Sequence, residues 1–246
     1  MSASEKTFPW YDAIWLNEYV RTKAALESDP YKLAEFEKMV APLRTRSDFA
    51  PIEVKDFLSQ EFLTKCKELI RTLPQEKKEA HEMFRFGRTV VHNDPLFDEY
   101  HNSITERVSD LVGEELEPSY NFLSLYYNMG ICELHMDAPQ AKYTVDLLIE
   151  ESTEWPIYIS DWQEWPENVD VLTPGWEDRV KSDPNVHFTR YSLAPGGGVI
   201  FSGSNAWHYR DPIYKPGQKN YSHLIFFHFI PKGTASVVDP SKWNLS

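Results

Sequence analysis

Residues 121–149 read NFLSLYYNMGICELHMDAPQAKYTVDLLI, and this stretch decides the fold. Three segments rich in aromatic and β-branched residues, which favour strands, lie at 121–127, 132–135 and 141–149. Turn-forming residues separate them at 128–130 and at Ala138-Pro139. The stretch therefore predicts three consecutive short strands that run antiparallel to one another.

The same pattern continues towards the C-terminus. Further segments of this composition lie at 155–160, 186–193, 199–202 and 222–230. Turn residues again separate several of them, at 195–198 and at Pro216-Gly217. Several short strands with regular turns indicate an antiparallel sandwich or barrel.

The first 117 residues have a different character and are predicted to be mostly helical. Asp29-Pro30 and Asp94-Pro95 are start signals, because Asp caps a helix and Pro suits its first position. Apolar residues at helical intervals predict a further helix over 54–73, and 87–92 resembles a short strand. We expect residues 118–232 to form one β-domain. Residues 1–117 would be its integral helical buttress, and residues 233–246 a C-terminal tail.

Residues 163–184 interrupt the strand pattern with prolines, acidic residues, Trp165 and Trp176. Long loops in compact domains are often functional lids. One hypothesis is that this insertion covers a binding site and helps to select its ligand. The alternative is a surface loop whose tryptophans pack on the outside of the barrel.

Composition argues against several classes of partner. The 246 residues carry a formal net charge of −13, whereas nucleic-acid binding needs a basic surface. No stretch approaches the ~20 apolar residues of a membrane span, and the N-terminus lacks the apolar core of an export signal. The two cysteines, Cys66 and Cys132, have no metal-like spacing and fit a reducing compartment. We therefore expect a cytoplasmic protein that binds neither nucleic acid nor membrane.

The sharpest chemical signal is His135-Met136-Asp137, at the end of a predicted strand. Residues i and i+2 of an extended chain share a face, so His135 and Asp137 can bind one ion. A second histidine, His208, follows the predicted strand 199–202. Two imidazoles and a carboxylate on one face form the facial triad that suits iron(II). An isolated His-x-Asp is a common accident, so the context of the motif matters.

That context resembles the 2-oxoglutarate-dependent oxygenases, most closely their prolyl-hydroxylase-like branch. In this family His-x-Asp follows an early barrel strand, and the distal His follows a Gly-led apolar strand. The matching pieces here are Tyr126-Tyr127, His135 to Asp137, Gly198 to Phe201, His208, Pro212 and Lys219. The resemblance implies a double-stranded β-helix, that is, a mainly β, jelly-roll or cupin-like barrel buttressed by helices. It also implies Fe(II), 2-oxoglutarate as cosubstrate, and O2.

The resemblance further implies a basic residue that binds the distal carboxylate of 2-oxoglutarate, and Lys219 is the first candidate. Lys219 lies eleven residues after His208, one more than expected, so Arg210 and Lys215 compete for the role. Arg is the better bidentate partner, whereas Lys acts as a point charge. Ser222 is predicted to support this contact, together with Tyr127 or Tyr126, which point to opposite faces of their strand so that only one of them faces the barrel interior.

Three tryptophans and one acidic residue are expected to contact the substrate. The candidates are Asp146, Trp155, Trp162 and Trp165. The tryptophans can supply a flat apolar wall. Asp146 alternates with apolar residues along its strand, so it either faces water or meets the substrate inside the barrel. We interpret His187, His223 and His228 as ordinary sheet histidines, because they lack spacing partners.

The resemblance thus implies a dioxygenase that hydroxylates, desaturates or cyclises a small molecule such as an amino acid or a natural-product intermediate. Three alternatives stay open at this point. They are a cupin-like metal enzyme that uses no 2-oxoglutarate, a non-catalytic ligand-binding barrel, and a protein-residue hydroxylase. The compact sequence favours a small substrate over a protein, and it leaves open whether the chain forms a homodimer.

Overall fold

The computed structural model describes residues 13–165 and 175–243. Its α-helices are α1 (Ala13–Leu26), α2 (Pro30–Val40), α3 (Gln60–Thr72), α4 (Met83–Phe86), α5 (Pro95–Val112) and α6 (Trp176–Ser182). Within these ranges we find no helix that is both long enough and apolar enough to span a membrane.

Side-chain caps explain where the main helices begin. Asp29 and Asp94 each accept a backbone N–H at the start of α2 and α5, as the Asp-Pro signals predict. The prediction of one helix over 54–73 is wrong at its start. Ser59 caps α3, and the preceding segment instead contributes a short strand, Ile52–Val54, to a sheet.

Ten strands form two antiparallel sheets in the described part of the chain. They are β1 (Ile52–Val54), β2 (Arg88–His92), β3 (Leu116–Tyr126), β4 (Cys132–His135), β5 (Tyr143–Glu151), β6 (Ile157–Ser160), β7 (Phe188–Tyr191), β8 (Gly198–Phe201), β9 (His208–Arg210) and β10 (Ser222–Pro231). The large sheet has the order β1-β8-β5-β10-β3-β2, and the small sheet has the order β4-β9-β6-β7. Of strands β3 to β10, four lie in the large sheet (β3, β5, β8 and β10) and four in the small sheet (β4, β6, β7 and β9). This arrangement confirms the predicted double-stranded β-helix.

Two apolar clusters cover the outer faces of these sheets. Helices α3 and α5 pack on the large sheet through residues such as Val108, Leu123 and Phe227. The N-terminal helices α1 and α2 belong to a second cluster with Leu134 and Met136 of the β4 region. Side chains alternate across a strand, so the residues between these outward-facing ones point into the space between the sheets.

Candidate functional site

His135, Asp137 and His208 come together at one end of the space between the sheets. His135 ends β4 and is paired in register with His208, which begins β9. The Oδ1 atom of Asp137 lies 3.4 Å from Nε2 of His135 and 3.8 Å from Nε2 of His208. One potential ligand atom from each residue lies within 4.8 Å of the other two, and all three residues are buried. This arrangement can hold a single metal ion.

Hydrogen bonds orient the three side chains towards this shared point. Nδ1 of His135 donates to the carbonyl oxygen of Glu133 (2.7 Å), and Nδ1 of His208 donates to that of Ala206 (3.0 Å). A carbonyl oxygen only accepts, so each Nδ1 carries a proton and each Nε2 faces the site, where its lone pair can bind a metal once that nitrogen is deprotonated.

The carboxylate of Asp137 is held from a neighbouring strand. The hydroxyl of Thr144 on β5 donates to Oδ2 of Asp137 (3.1 Å). The backbone N–H of Asp137 donates to the carbonyl oxygen of Gly203 (2.8 Å). A Cβ at position 203 would lie 2.5 Å from Oδ2 of Asp137, so glycine is required for this close approach. Oδ1 is thereby left facing the two imidazoles.

Burial and neighbouring charges shift the pKa of each of the three residues. Burial raises the pKa of Asp137, but the His208 and His135 imidazoles outweigh it and hold that pKa well below its usual range. Burial, together with the charge on His135, lowers the pKa of His208 to about 3. Burial also lowers the pKa of His135, but the Cys132 sulfur and Asp137 raise it more, to about 10. Metal binding at neutral pH would therefore displace one proton, from His135.

A cavity opens from this triad between the two sheets. Its lining includes two arginines, Arg88 and Arg210, together with the side chains of Tyr126 and His228. A metal at the triad would therefore face a cavity lined by aromatic rings and by two arginine side chains.

Arg210 lies on the small sheet and forms a buried ion pair with Asp146. Its Nη2 donates to Oδ2 of Asp146 on β5 (2.6 Å), and its Nη1 donates to the carbonyl oxygen of Trp155. Asp146 is completely buried. The ring of Trp155 packs on Tyr126 with 4.6 Å between ring centroids. Asp146 thus meets a guanidinium rather than water, and neither Asp146 nor Trp155 belongs to the cavity lining.

The residues predicted to bind 2-oxoglutarate divide into two groups. Tyr126 and Arg210 line the cavity, and Ser222 is fully buried beside Tyr126 in the register of β10 and β3. Lys219 is exposed and Tyr127 is partly exposed, and neither belongs to the cavity lining. The structure therefore brings Arg210 and Tyr126 to the site and leaves Lys219 on the surface.

Two of the predicted tryptophans, Trp162 and Trp165, contact the N-terminal segment. Trp162 donates through Nε1 to the carbonyl oxygen of Thr45 (2.9 Å). Trp165 is buried against Trp15 and Tyr19 of α1, with ring centroids 5.2 and 5.6 Å away. Neither of these two tryptophans lines the cavity.

The predicted lid, residues 163–184, is described only in part, because positions 166–174 lie outside the described residues. Its helix α6 packs in the outer cluster, where the ring of Trp176 lies 5.7 Å from that of Trp207. Trp207 directly precedes β9 and the candidate ligand His208. Closure of the insertion over the cavity stays a prediction.

Sequence reasoning missed two residues of the site, Arg88 and His228. His228 was interpreted as an ordinary sheet histidine, yet it lines the cavity and is paired in register with Thr144. The alternation of β10 contains the signal, because Ser222, Phe226 and His228 share one face of the strand. Arg88 is on the edge strand β2, and nothing in the sequence shows that this strand borders the cavity.

Comparison with known proteins supports the fold. No protein-family model matches this chain, and no curated protein matches it in sequence. Among solved structures, the non-haem α-ketoglutarate-dependent epimerase SnoN from nogalamycin biosynthesis aligns over 84% of this chain and 89% of its own, with 13% identity and a TM-score of 0.54. HygX from Streptomyces hygroscopicus, with nickel, 2-oxoglutarate and hygromycin B bound, aligns over 78% of this chain and 88% of its own, with 8% identity and a TM-score of 0.53.

EctD from S. alaskensis, in its apoform, is similar to the same degree. It aligns over 74% of this chain and 72% of its own, with 12% identity and a TM-score of 0.53. These likenesses show that the chain has the double-stranded β-helix fold of these proteins. They confirm the resemblance to 2-oxoglutarate oxygenases at the level of the fold.

Proposed function

We propose that this protein is an iron(II)- and 2-oxoglutarate-dependent dioxygenase that oxidises, most simply by hydroxylation, a small molecule. The observation that carries the proposal is the buried triad of His135, Asp137 and His208, whose Nε2 and Oδ1 atoms face one point. Two of the solved structures that share its fold are described as α-ketoglutarate-dependent or contain bound 2-oxoglutarate.

The donor set fits iron(II). Two neutral imidazoles and one carboxylate on one face leave the remaining coordination positions open to other ligands. When bound, iron(II) would supply the activation of O2, at the expense of 2-oxoglutarate. The chain's own part is to hold Asp137 through Thr144, to fix both imidazoles through their Nδ1 protons, and to enclose the site between two sheets.

We assign the distal carboxylate of 2-oxoglutarate to Arg210, supported by the hydroxyl of Tyr126. Arg210 lies on the same face of β9 as His208, about 6.8 Å further along the strand. Asp146 and Trp155 use two of its five N–H donors, which leaves the others to a carboxylate. Cosubstrate bound in this way would reach from the metal ligands to Arg210 in the cavity lining.

A small substrate fits the enclosed form of the site. The cavity lies between the sheets, and its lining combines aromatic and apolar side chains with charged and polar ones. Among the proteins of this fold, HygX has the small molecule hygromycin B bound.

The proposal is tested by anaerobic titration of the metal-free protein with Fe(II), then with 2-oxoglutarate, followed by visible absorption and calorimetry. We expect one metal per chain, and 2-oxoglutarate binding that depends on the metal. Alanine at His135, Asp137 or His208 should abolish both while circular dichroism stays unchanged. His187→Ala, which removes an exposed His–carboxylate pair, is the matched control. Undiminished metal binding in the triad variants would refute the proposal.

A further inference from the structure

The second cavity arginine, Arg88, is held in a site that suits a carboxylate. Its guanidinium donates through Nη1 to the hydroxyl of Tyr126 (2.7 Å), and its centre lies 5.3 Å from the Phe122 ring. The side chain of Arg88 is only 7% exposed. An arginine so placed is rigid, desolvated and directed by its neighbours, which strengthens its interaction with an anion.

A carboxylate of the chain already contacts this arginine. Nε of Arg88 donates to Oε2 of Glu82, the residue that precedes the four-residue helix α4. Glu82 lines the cavity, and its side chain is 21% exposed. Partly exposed lining residues, which also include His92 and Tyr120, mark the opening of the cavity. Glu82 can therefore turn outwards into water without leaving a buried charge behind.

The two arginines of the cavity differ in this respect. Arg210 is paired with Asp146, which is fully buried and lies in the middle of β5. Separating Asp146 from Arg210 would leave an unpaired charge inside the protein, which is costly, so this pair stays formed when ligands bind. Arg88 has an acid partner that can leave, and an incoming carboxylate can take its place.

Contacts lead from Arg88 to the metal ligands along one wall. The Phe122 ring next to Arg88 stacks with the ring of His228 at 5.6 Å and 12°. His228 is paired in register with Thr144, whose hydroxyl bonds Asp137. A molecule whose carboxylate contacts Arg88 would thus extend its body along Phe122 and His228 towards the triad.

We propose that Arg88 binds the carboxylate of the primary substrate and that Glu82 occupies Arg88 while no substrate is bound. The substrate class is a small carboxylic acid with an apolar or planar body, matched to the ring wall. This inference rests on the proposed function, since it takes the triad as the reacting centre and Arg210 as the cosubstrate residue. A substrate must displace Glu82 from Arg88, so substrates whose carboxylate binds Arg88 more strongly than Glu82 does are favoured.

The test uses 3-phenylpropionate and its uncharged analogue 3-phenylpropanamide as probes, with calorimetry on protein loaded with Ni(II) and 2-oxoglutarate. We expect Glu82→Gln to bind the acid about tenfold more tightly than the wild type, because a competing charge-assisted hydrogen bond is lost. Arg88→Gln should weaken binding of the acid by about tenfold or more. The amide should bind equally to all variants. Glu79→Gln, which alters a neighbouring acid paired with His92, is the matched control.

Two results would overturn the inference. Equal gains for acid and amide in Glu82→Gln would mean that Glu82 only narrows the opening. A change in 2-oxoglutarate affinity with no change for the probe acid would assign Arg88 to the cosubstrate. A failure of the proposed function shows differently, as absent metal and 2-oxoglutarate binding in the wild type. In that case the acid and amide titrations on metal-free protein still decide whether Arg88 binds carboxylates.

Discussion

The hydroxyl of Thr144 fixes the orientation of the carboxylate in the proposed metal site. It donates to Oδ2 of Asp137 from β5, and both residues are buried. Thr144→Val keeps the shape of the side chain but removes this bond, so the carboxylate loses its fixed orientation. We expect metal affinity to fall about 10–100-fold, the usual effect of losing an outer partner of a ligand. Thr144→Ser should retain the affinity. Equal metal binding by all three proteins in a titration would contradict this role.

Arg210 and Lys219 are alternative candidates for binding the distal carboxylate of 2-oxoglutarate, and substitutions can distinguish them. Arg210 is buried in the cavity, and Lys219 is exposed outside it. We expect Arg210→Lys to raise the dissociation constant of 2-oxoglutarate about 10–100-fold, because a charge-assisted bond is worth about 1.5–3 kcal/mol. Lys219→Ala should leave it unchanged. Calorimetry on the metal-loaded variants gives both values, and the reverse pattern would return the role to Lys219.

At this scale the sequence predicted the triad better than the cosubstrate residue. Same-face spacing in an extended chain is a local rule, so His135 and Asp137 followed from two neighbouring positions. The direction of Lys219 depends on how the loop before β10 is closed. Asn220 is buried there and donates its backbone N–H to Oδ1 of Asn128 (2.6 Å). That contact joins residues far apart in the sequence, and no local pattern reveals it.

Among the elements, α5 makes the acid stability of the protein testable. Its His101 is buried against Phe227 and Phe229 of β10, with ring centroids 5.1 and 4.6 Å away. Burial, with the nearby charge of His228, lowers the pKa of His101 to about 4. An unfolded histidine has a pKa of about 6.5, so the unfolded chain binds more protons below that pH. Stability should therefore be complete above pH 7 and decline as the pH falls towards 4.

The loss attributable to His101 is about 2 kcal/mol at pH 5, since each pKa unit corresponds to about 1.4 kcal/mol. Urea unfolding at pH 7 and pH 5 measures it. His101→Phe cannot titrate and should lose less stability between these two pH values than the wild type. A residual loss is expected from His228 and His208, whose pKa values are also lowered by burial, to about 4 and about 3. Identical losses in both proteins would exclude His101 as a cause.

Elements were predictable where their signals are local. The Asp-Pro caps start α2 and α5, and alternation with turn residues indicated the strands of the barrel. The predicted helix over 54–73 failed at its start because β1 gains its hydrogen bonds from the distant strand β8. Helix α6 lies inside a segment interpreted as a loop, and its partner Trp207 directly precedes the distant strand β9. Pairing across the fold overrides local propensity at such places.

For the molecule as a whole, Trp165 joins the N-terminal helices to the barrel. The sequence made its ring a candidate for contacting the substrate. No local pattern shows on which side of the barrel the insertion lies, so the sequence could not decide between that role and packing on the outside. The structure places it 3% exposed between Trp15, Tyr19 and the guanidinium of Arg44, which lies 4.1 Å from its ring centroid. Its surroundings are therefore those of a core residue.

Trp165→Ala should accordingly act on stability rather than on ligand binding. Truncating a buried tryptophan costs about 3–5 kcal/mol, which lowers the Tm of a chain of this size by about 6–20 °C. Tyr31→Ala, which truncates an aromatic residue that is 77% exposed on α2, should shift the Tm only slightly. Metal and 2-oxoglutarate affinities of folded Trp165→Ala should match the wild type, because the triad and Arg210 lie inside the barrel. An unchanged Tm together with impaired substrate-coupled turnover would instead restore Trp165 to the substrate wall.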